Sequence, residues 1–118
     1  MKLLKEINHM LIYDCDNLSE MSEKVGNKII AQVKYKPDSN IALQSGFSII
    51  PICNFLIKRR IRMHVSYRNA KFFAINEYGV VDFKAQMTHK SFMDKYFYKP
   101  IRAKKKNIHY PNQDCENF

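Results

Sequence analysis

Histidine, tyrosine and arginine close together can move protons and hold phosphate, and the chain sets His64, Tyr67 and Arg68 in one short stretch, with His89 as a second imidazole further on. In-line chemistry at a phosphodiester needs a proton acceptor, a proton donor and a cation, so these groups outline a small basic ribonuclease. No motif fixes the histidines relative to one another. The surrounding stretch, FLIKRRIRMHVSYRNAKFF (residues 55–73), carries Lys58, Arg59, Arg60, Arg62, Arg68 and Lys71 and no acid. A second basic group follows in Lys99, Arg102, Lys104, Lys105 and Lys106, with Lys90 between the two. One such run is commonly a solvated face or a blunted strand edge. Two runs point instead to phosphate contacts along RNA, with Tyr67, Phe72, Tyr96 and Tyr98 either stacking on unpaired bases or packing in the core.

The elements that must carry these groups belong to one domain, because 118 residues that are 46% hydrophobic and 13% aromatic suffice for a single core. The net charge of +9 attracts polyanions. Abundant lysine, isoleucine, asparagine, tyrosine and phenylalanine fit an AT-rich genome. Cys15, Cys53 and Cys115 form no C-x-x-C pair, and His9, His64, His89 and His109 are scattered, so neither a disulfide framework, a metal site nor a cofactor is expected. The opening residues lack an uninterrupted signal-peptide core, because Glu6, Asn8, His9 and Asp14 break it. Residues 41–57 are the only candidate membrane segment, but Gln44, Ser45, Gly46, Pro51 and Asn54 interrupt them and they fall short of a bilayer span. An intracellular protein without a membrane partner is the expectation.

Residues 3–13 read as a first strand, and Asp14, Asp16 and Asn17 offer capping oxygens for a helix. Leu18, Met21, Val25, Ile29 and Val33 give that helix an apolar stripe running toward Lys34, weakened by Gly26. Residues 36–40 are a turn. Pro51 makes the next apolar run extended and irregular. From Lys58 alternation predicts a strand with Ile61, Met63, Val65 and Tyr67 on one side and a basic outer face. A strand through Phe72, Phe73 and Ile75, a turn at residues 76–79 and a strand over 80–83 follow. Thr88 caps a second helix that Pro100 ends. The expected fold is a small α+β domain over residues 1–100, strand-helix-strands-helix with a basic β-hairpin, and a basic polar tail over 101–118.

Laid in this order the chain resembles the ribosomal small-subunit protein ten family. The resemblance rests on Tyr13-Asp14 closing a strand, Leu18, Lys24 and Val25 in the helix, Ile50-Pro51 before the basic strand, and Thr88-His89-Lys90 before Phe92 and Asp94. The family's Arg-Ser-Pro-His signature is replaced by Met63-His64-Val65-Ser66. The small-subunit protein nineteen family is similar to Ser45-Gly46-Phe47-Ser48-Ile49-Ile50-Pro51, Asn69-Ala70-Lys71 and Met87-Thr88-His89-Lys90, without its glycines around the His-Lys pair.

Either resemblance implies a non-enzymatic component of a ribosomal small subunit. Its partners would be ribosomal RNA and neighbouring ribosomal proteins, with no small-molecule substrate. A mitochondrially encoded copy would sit in the mitochondrial matrix, and otherwise the cytoplasm is implied. The alternatives are a small phage or mobile-element protein that inhibits a host factor, and the basic ribonuclease.

Overall fold

A computed structural model describes residues 1–76 and 88–111. The turn and strand expected over 76–83 lie outside these residues except for Asn76. So do the last seven residues of the expected tail.

Residues 3–13 form a hairpin rather than one strand. Strands β1 (Lys2–Ile7) and β2 (Met10–Asp14) pair antiparallel, with Ile7 opposite Met10. The turn works because Asn8 and His9 both take positive φ, 48° and 65°, the mirror-image turn whose twist matches a hairpin. Helix α1 (Leu18–Tyr35) begins where capping chemistry placed it: the Asn17 side chain accepts from the Glu20 amide at 2.8 Å, and the Glu20 carboxylate accepts from the Asp16 amide at 2.6 Å. Its inward face is rotated from the expected stripe. Ser22, Gly26, Ile30 and Val33 are buried, whereas Leu18 and Val25 are exposed. The reason is helix α2 (Ile50–Arg62), whose Phe55 ring occupies the space that a side chain at Gly26 would need.

Helix α2 corrects two expectations at once. Pro51 sits in its first turn, where a missing N–H costs nothing, and Cys53 and Leu56 bury its inner face. The basic residues 58–62 therefore end a helix and do not form a strand. A basic β-hairpin is not what they build. After Arg62 the chain reverses in a Schellman motif: His64 takes φ 52°, its amide donates to Ile61 O at 3.1 Å, and the Val65 amide donates to Arg60 O at 2.9 Å. Val65 then enters the core.

The second sheet is parallel, in the order β3 (Asn40–Leu43), β4 (Lys71–Ala74), β5 (Ile108–His109). Thr88 caps helix α3 (His89–Met93), its hydroxyl accepting from the Ser91 amide at 3.1 Å, and a π turn (Asp94–Tyr98) continues it. Phe72 of β4 meets Phe97 and Tyr98 of that turn at ring separations of 5.6 and 5.4 Å, with Tyr67 beside Phe97. Together with Ile30, Val33, Cys53 and Leu56 they make the core. Ile101 is buried too, and β5 adds the last strand, both within the stretch read as tail. The class is a small α+β domain. No described helix is long and apolar enough to cross a membrane.

Candidate functional site

Strands β3 and β4 end side by side, with Leu43 opposite Ala74 and the Ile75 amide donating to Leu43 O at 3.1 Å. In parallel sheets ligands bind beyond the carboxyl ends of the strands. At that edge β3 passes through Gln44, Ser45 and Gly46 into a 3-10 turn (Phe47–Ile49) that runs directly into α2. Gly46 has φ 140° and ψ 170°, backbone open only to glycine, and a Cβ there would meet nothing within 4 Å. Among the described residues neither the turn nor α2 receives a side-chain cap, and α2 has no acid in its first turn. The Ile49 and Ile50 amides donate to Gly46 O and Phe47 O and Pro51 has no N–H, so the donors this end offers an anion are the loop amides of residues 46–48, beside the positive end of the helix dipole.

Side chains from just after β4 and from α3 close the other side of this loop. Ser45 Oγ is hydrogen-bonded to His89 Nδ1, and Asn76 Nδ2 lies 3.5 Å from His89 Nε2. If the Asn76 amide donates to Nε2, Nδ1 carries the proton and donates to Ser45. Phe47, exposed over 82% of its surface, stands edge-on to Phe92 with centroids 6.0 Å apart. The site thus combines a glycine loop at a helix start, an imidazole between Ser45 and Asn76 and an aromatic rim.

The groups expected to do ribonuclease chemistry do not meet in this way. Tyr67 is wholly buried, its phenol pushed up to about 12 by burial and its hydroxyl without a hydrogen-bond partner among the described residues. His64 is a helix-ending residue, and only His89 lies at the strand edge. The basic residues divide between two other surfaces. Lys58, Arg59 and Arg62 line a groove between α1 and α2, with the Arg59 guanidinium over the Phe55 ring at 5.2 Å; Arg60 is half-buried on α2. Lys90, Lys99, Arg102 and Lys105 line a cavity beside the π turn. Arg68, Lys71 and Lys106 are exposed and Lys104 half-buried.

Sequence reasoning missed Ser45, Gly46 and Asn76 as a cluster. The available signal was glycine directly after an apolar strand, with proline five residues on at a helix start.

No family model matches the chain. It is 29% identical over 111 residues to a glucosamine-6-phosphate deaminase of Clostridium botulinum (strain Alaska E43 / Type E3), covering 92% of this chain and 45% of that protein. A glucosamine-6-phosphate deaminase of Malacoplasma penetrans (strain HF-2) is 29% identical over 120 residues, covering 94% of this chain and 50% of that protein. The chain therefore spans about half the length of these curated relatives. Among solved structures, a monomeric glucosamine-6-phosphate deaminase of the NagB superfamily superposes with a TM-score of 0.82 at 20% identity, over 89% of this chain and 44% of that one. The 6-phosphogluconolactonase of Thermotoga maritima gives 0.68 at 14% identity, over 87% and 45%. These superpositions establish the fold.

The similarities overturn the ribosomal resemblance and with it the RNA-binding, non-enzymatic reading, its ribosomal partners and its exclusion of a small-molecule substrate. The host-factor inhibitor and the ribonuclease fall on the same finding. The relatives are bacterial and give no support to a mitochondrial matrix location.

Proposed function

We propose that the chain supplies the substrate-binding half of an enzyme acting on a phosphorylated amino sugar, as glucosamine-6-phosphate deaminases do. The single observation that carries this is the strand-edge loop: Ser45 and Gly46 lead into an uncapped helix start with His89 and Asn76 alongside, in a region shared with the deaminase relatives. The phosphate sits on the loop amides of residues 46–48. The Phe47 ring faces the carbon-bound hydrogens of the sugar. Converting a 2-amino aldose to a ketose and ammonia requires a proton to leave C2 and another to arrive at C1, with water replacing the nitrogen. His89 is the titratable group held in this cluster among the described residues, and its role is to carry such a proton.

The test is titration of the chain with glucosamine 6-phosphate, glucosamine and inorganic phosphate, followed by amide NMR shifts. The phosphorylated sugar should move residues 46–49 and the signals of His89, and Ser45→Ala or Gly46→Ala should abolish those shifts. Glucosamine binding as well as its phosphate ester, or shifts that spare residues 46–49, would reject the reading. Ammonia release from the same sample tests the deaminating step.

A further inference from the structure

Helix α1 is apolar on two sides. One side, with Ser22, Gly26, Ile30 and Val33, is buried against α2 and the core. The other is the stripe that periodicity marks, where Leu18 is 56% and Val25 37% exposed and Met21 and Ile29 are half-buried. A helix with apolar residues on both sides belongs between two layers. Val25 and Ile29 line an apolar cavity of about 80 Å³ with Ile41 and Leu43 of β3 and the buried Cys53 and Phe72. Ile41 and Leu43 are half-buried as well, so the core is open between α1 and β3.

Strand β3 runs along this opening. Among the described residues it pairs with β4 alone. Ser39 O and Leu43 O accept from the Lys71 and Ile75 amides, so the alternation of main-chain groups turns those of Asn40 and Ala42 away from β4. Proteins guard such an edge with charge, proline or a bulge. Asn40-Ile41-Ala42-Leu43 has none of these, and its four partners on β4 follow one another without a shift in register.

We infer that this surface docks a polypeptide. Its occupant is an apolar β-strand that adds to the free edge of β3 and fills the opening beside α1, supplied by the part of the deaminase-like fold that lies outside these 118 residues. Main-chain groups on a strand edge call for another strand, which neither a lipid nor a small apolar ligand provides. The curated relatives match 92% and 94% of this chain, yet it covers only 45% and 50% of them, which leaves about half of their length to cover the edge. A second copy suits it less, because each chain carries a charge of +9 and two would repel. The added strand also bears on the loop. Running parallel to β3, it ends beside Leu43, and the residues that follow it close the open side of Ser45 and Gly46. The inference rests on the fold and the open edge, and stands whether or not the loop binds a sugar phosphate.

The experiment co-expresses the full chain with the part of the Clostridium botulinum relative that it does not match, produced as a separate polypeptide, with no sugar phosphate added. A one-to-one complex is expected by affinity purification and light scattering, with hydrogen exchange slowed at residues 40–43 and along 18–29. Ala42→Pro removes an outward N–H at a position where an edge strand accepts proline, and Val25→Glu puts a charge on the stripe. Each should weaken the complex about tenfold or more, while circular dichroism of the chain alone stays that of the wild type. Should one variant fail to fold, the other gives the reading. Absence of a complex overturns the inference, as does a complex that keeps its affinity in the folded variants. A dimer of the chain itself that Ala42→Pro breaks would assign the edge to a second copy and overturn it equally.

Discussion

Gly26 is where the packing of α1 on α2 can be tested most sharply. A Cβ built on Gly26 would lie 2.3 Å from Phe55 Cδ1, 2.8 Å from Cε1 and 3.3 Å from Cγ. The obstruction is the base of a ring, with the Arg59 guanidinium over it, so it cannot be relieved by a flexible side-chain end. Gly26→Ala has two opposing effects. In a helix interior alanine gains about 1 kcal/mol over glycine. Forcing a methyl into filled space costs about 1–3 kcal/mol. The net expectation is a loss of about 1 kcal/mol, read as a lower denaturant midpoint at unchanged slope. With Phe55→Ala as background the clash is absent and the same substitution should stabilise by about 1 kcal/mol, which makes the coupling about 2 kcal/mol in a double-mutant cycle. Equal stabilisation by Gly26→Ala in both backgrounds would refute the reasoning. The contact matters for function because it sets how α2, and so the loop at its start, sits against the sheet.

Two further expectations concern the helix end and alkaline pH. His64 at φ 52° pays a left-handed cost that glycine avoids, so His64→Gly should raise stability by about 1 kcal/mol in thermal or denaturant unfolding; a loss would mean that the imidazole contributes a contact exceeding the strain. Burial pushes the Cys53 thiol from 9.0 up to about 11 and the Tyr67 phenol from 10.0 up to about 12. In both groups the folded value exceeds the unfolded one, so their contribution is whole below about pH 9 and is lost as pH rises toward 12. Each two-unit shift corresponds to about 2–3 kcal/mol. Denaturant midpoints should therefore fall steeply above pH 9, with Tyr67→Phe removing part of the slope; midpoints level from pH 8 to 11 would contradict this.

Local chemistry was legible where one residue decides the outcome. Asn17 and Thr88 cap the helices that their side-chain oxygens announce, and α1 runs close to its expected length. Tertiary contacts were not legible. Gly26 reads as a defect until Phe55 is seen filling the gap, and that neighbour turns the buried face away from Leu18 and Val25. The largest misreading came from Pro51 and the alternation after Lys58. An Ile-Pro pair fits both an irregular strand and a first helical turn, and the spacing of Ile49, Ile52, Cys53 and Leu56, which line one cavity with Phe72, was the signal that separates them. The candidate site escaped because its parts are far apart in sequence: 44 residues separate Ser45 from His89, and only β3 running parallel to β4 brings the loop and Asn76 to one edge.

The basic strip that dominates the sequence has a local use independent of any partner. Arg59, Arg60 and Arg62 fall in the last turn of α2, where exposed carbonyls and the negative end of the dipole favour cations. Lys34 of α1 reaches the same end and donates to Met63 O at 3.1 Å. Once these residues end a helix, their alternation with apolar side chains no longer marks a flat surface suited to a nucleic-acid backbone. A net charge of +9 still favours encounter with anions, but a field of that kind does not distinguish a polymer from a small phosphate ester. The number of donors makes the distinction. The proposed site at the Gly46 loop offers only the few amides of one turn, which suit a single phosphate group, whereas continuous RNA contact needs a tract several phosphates long.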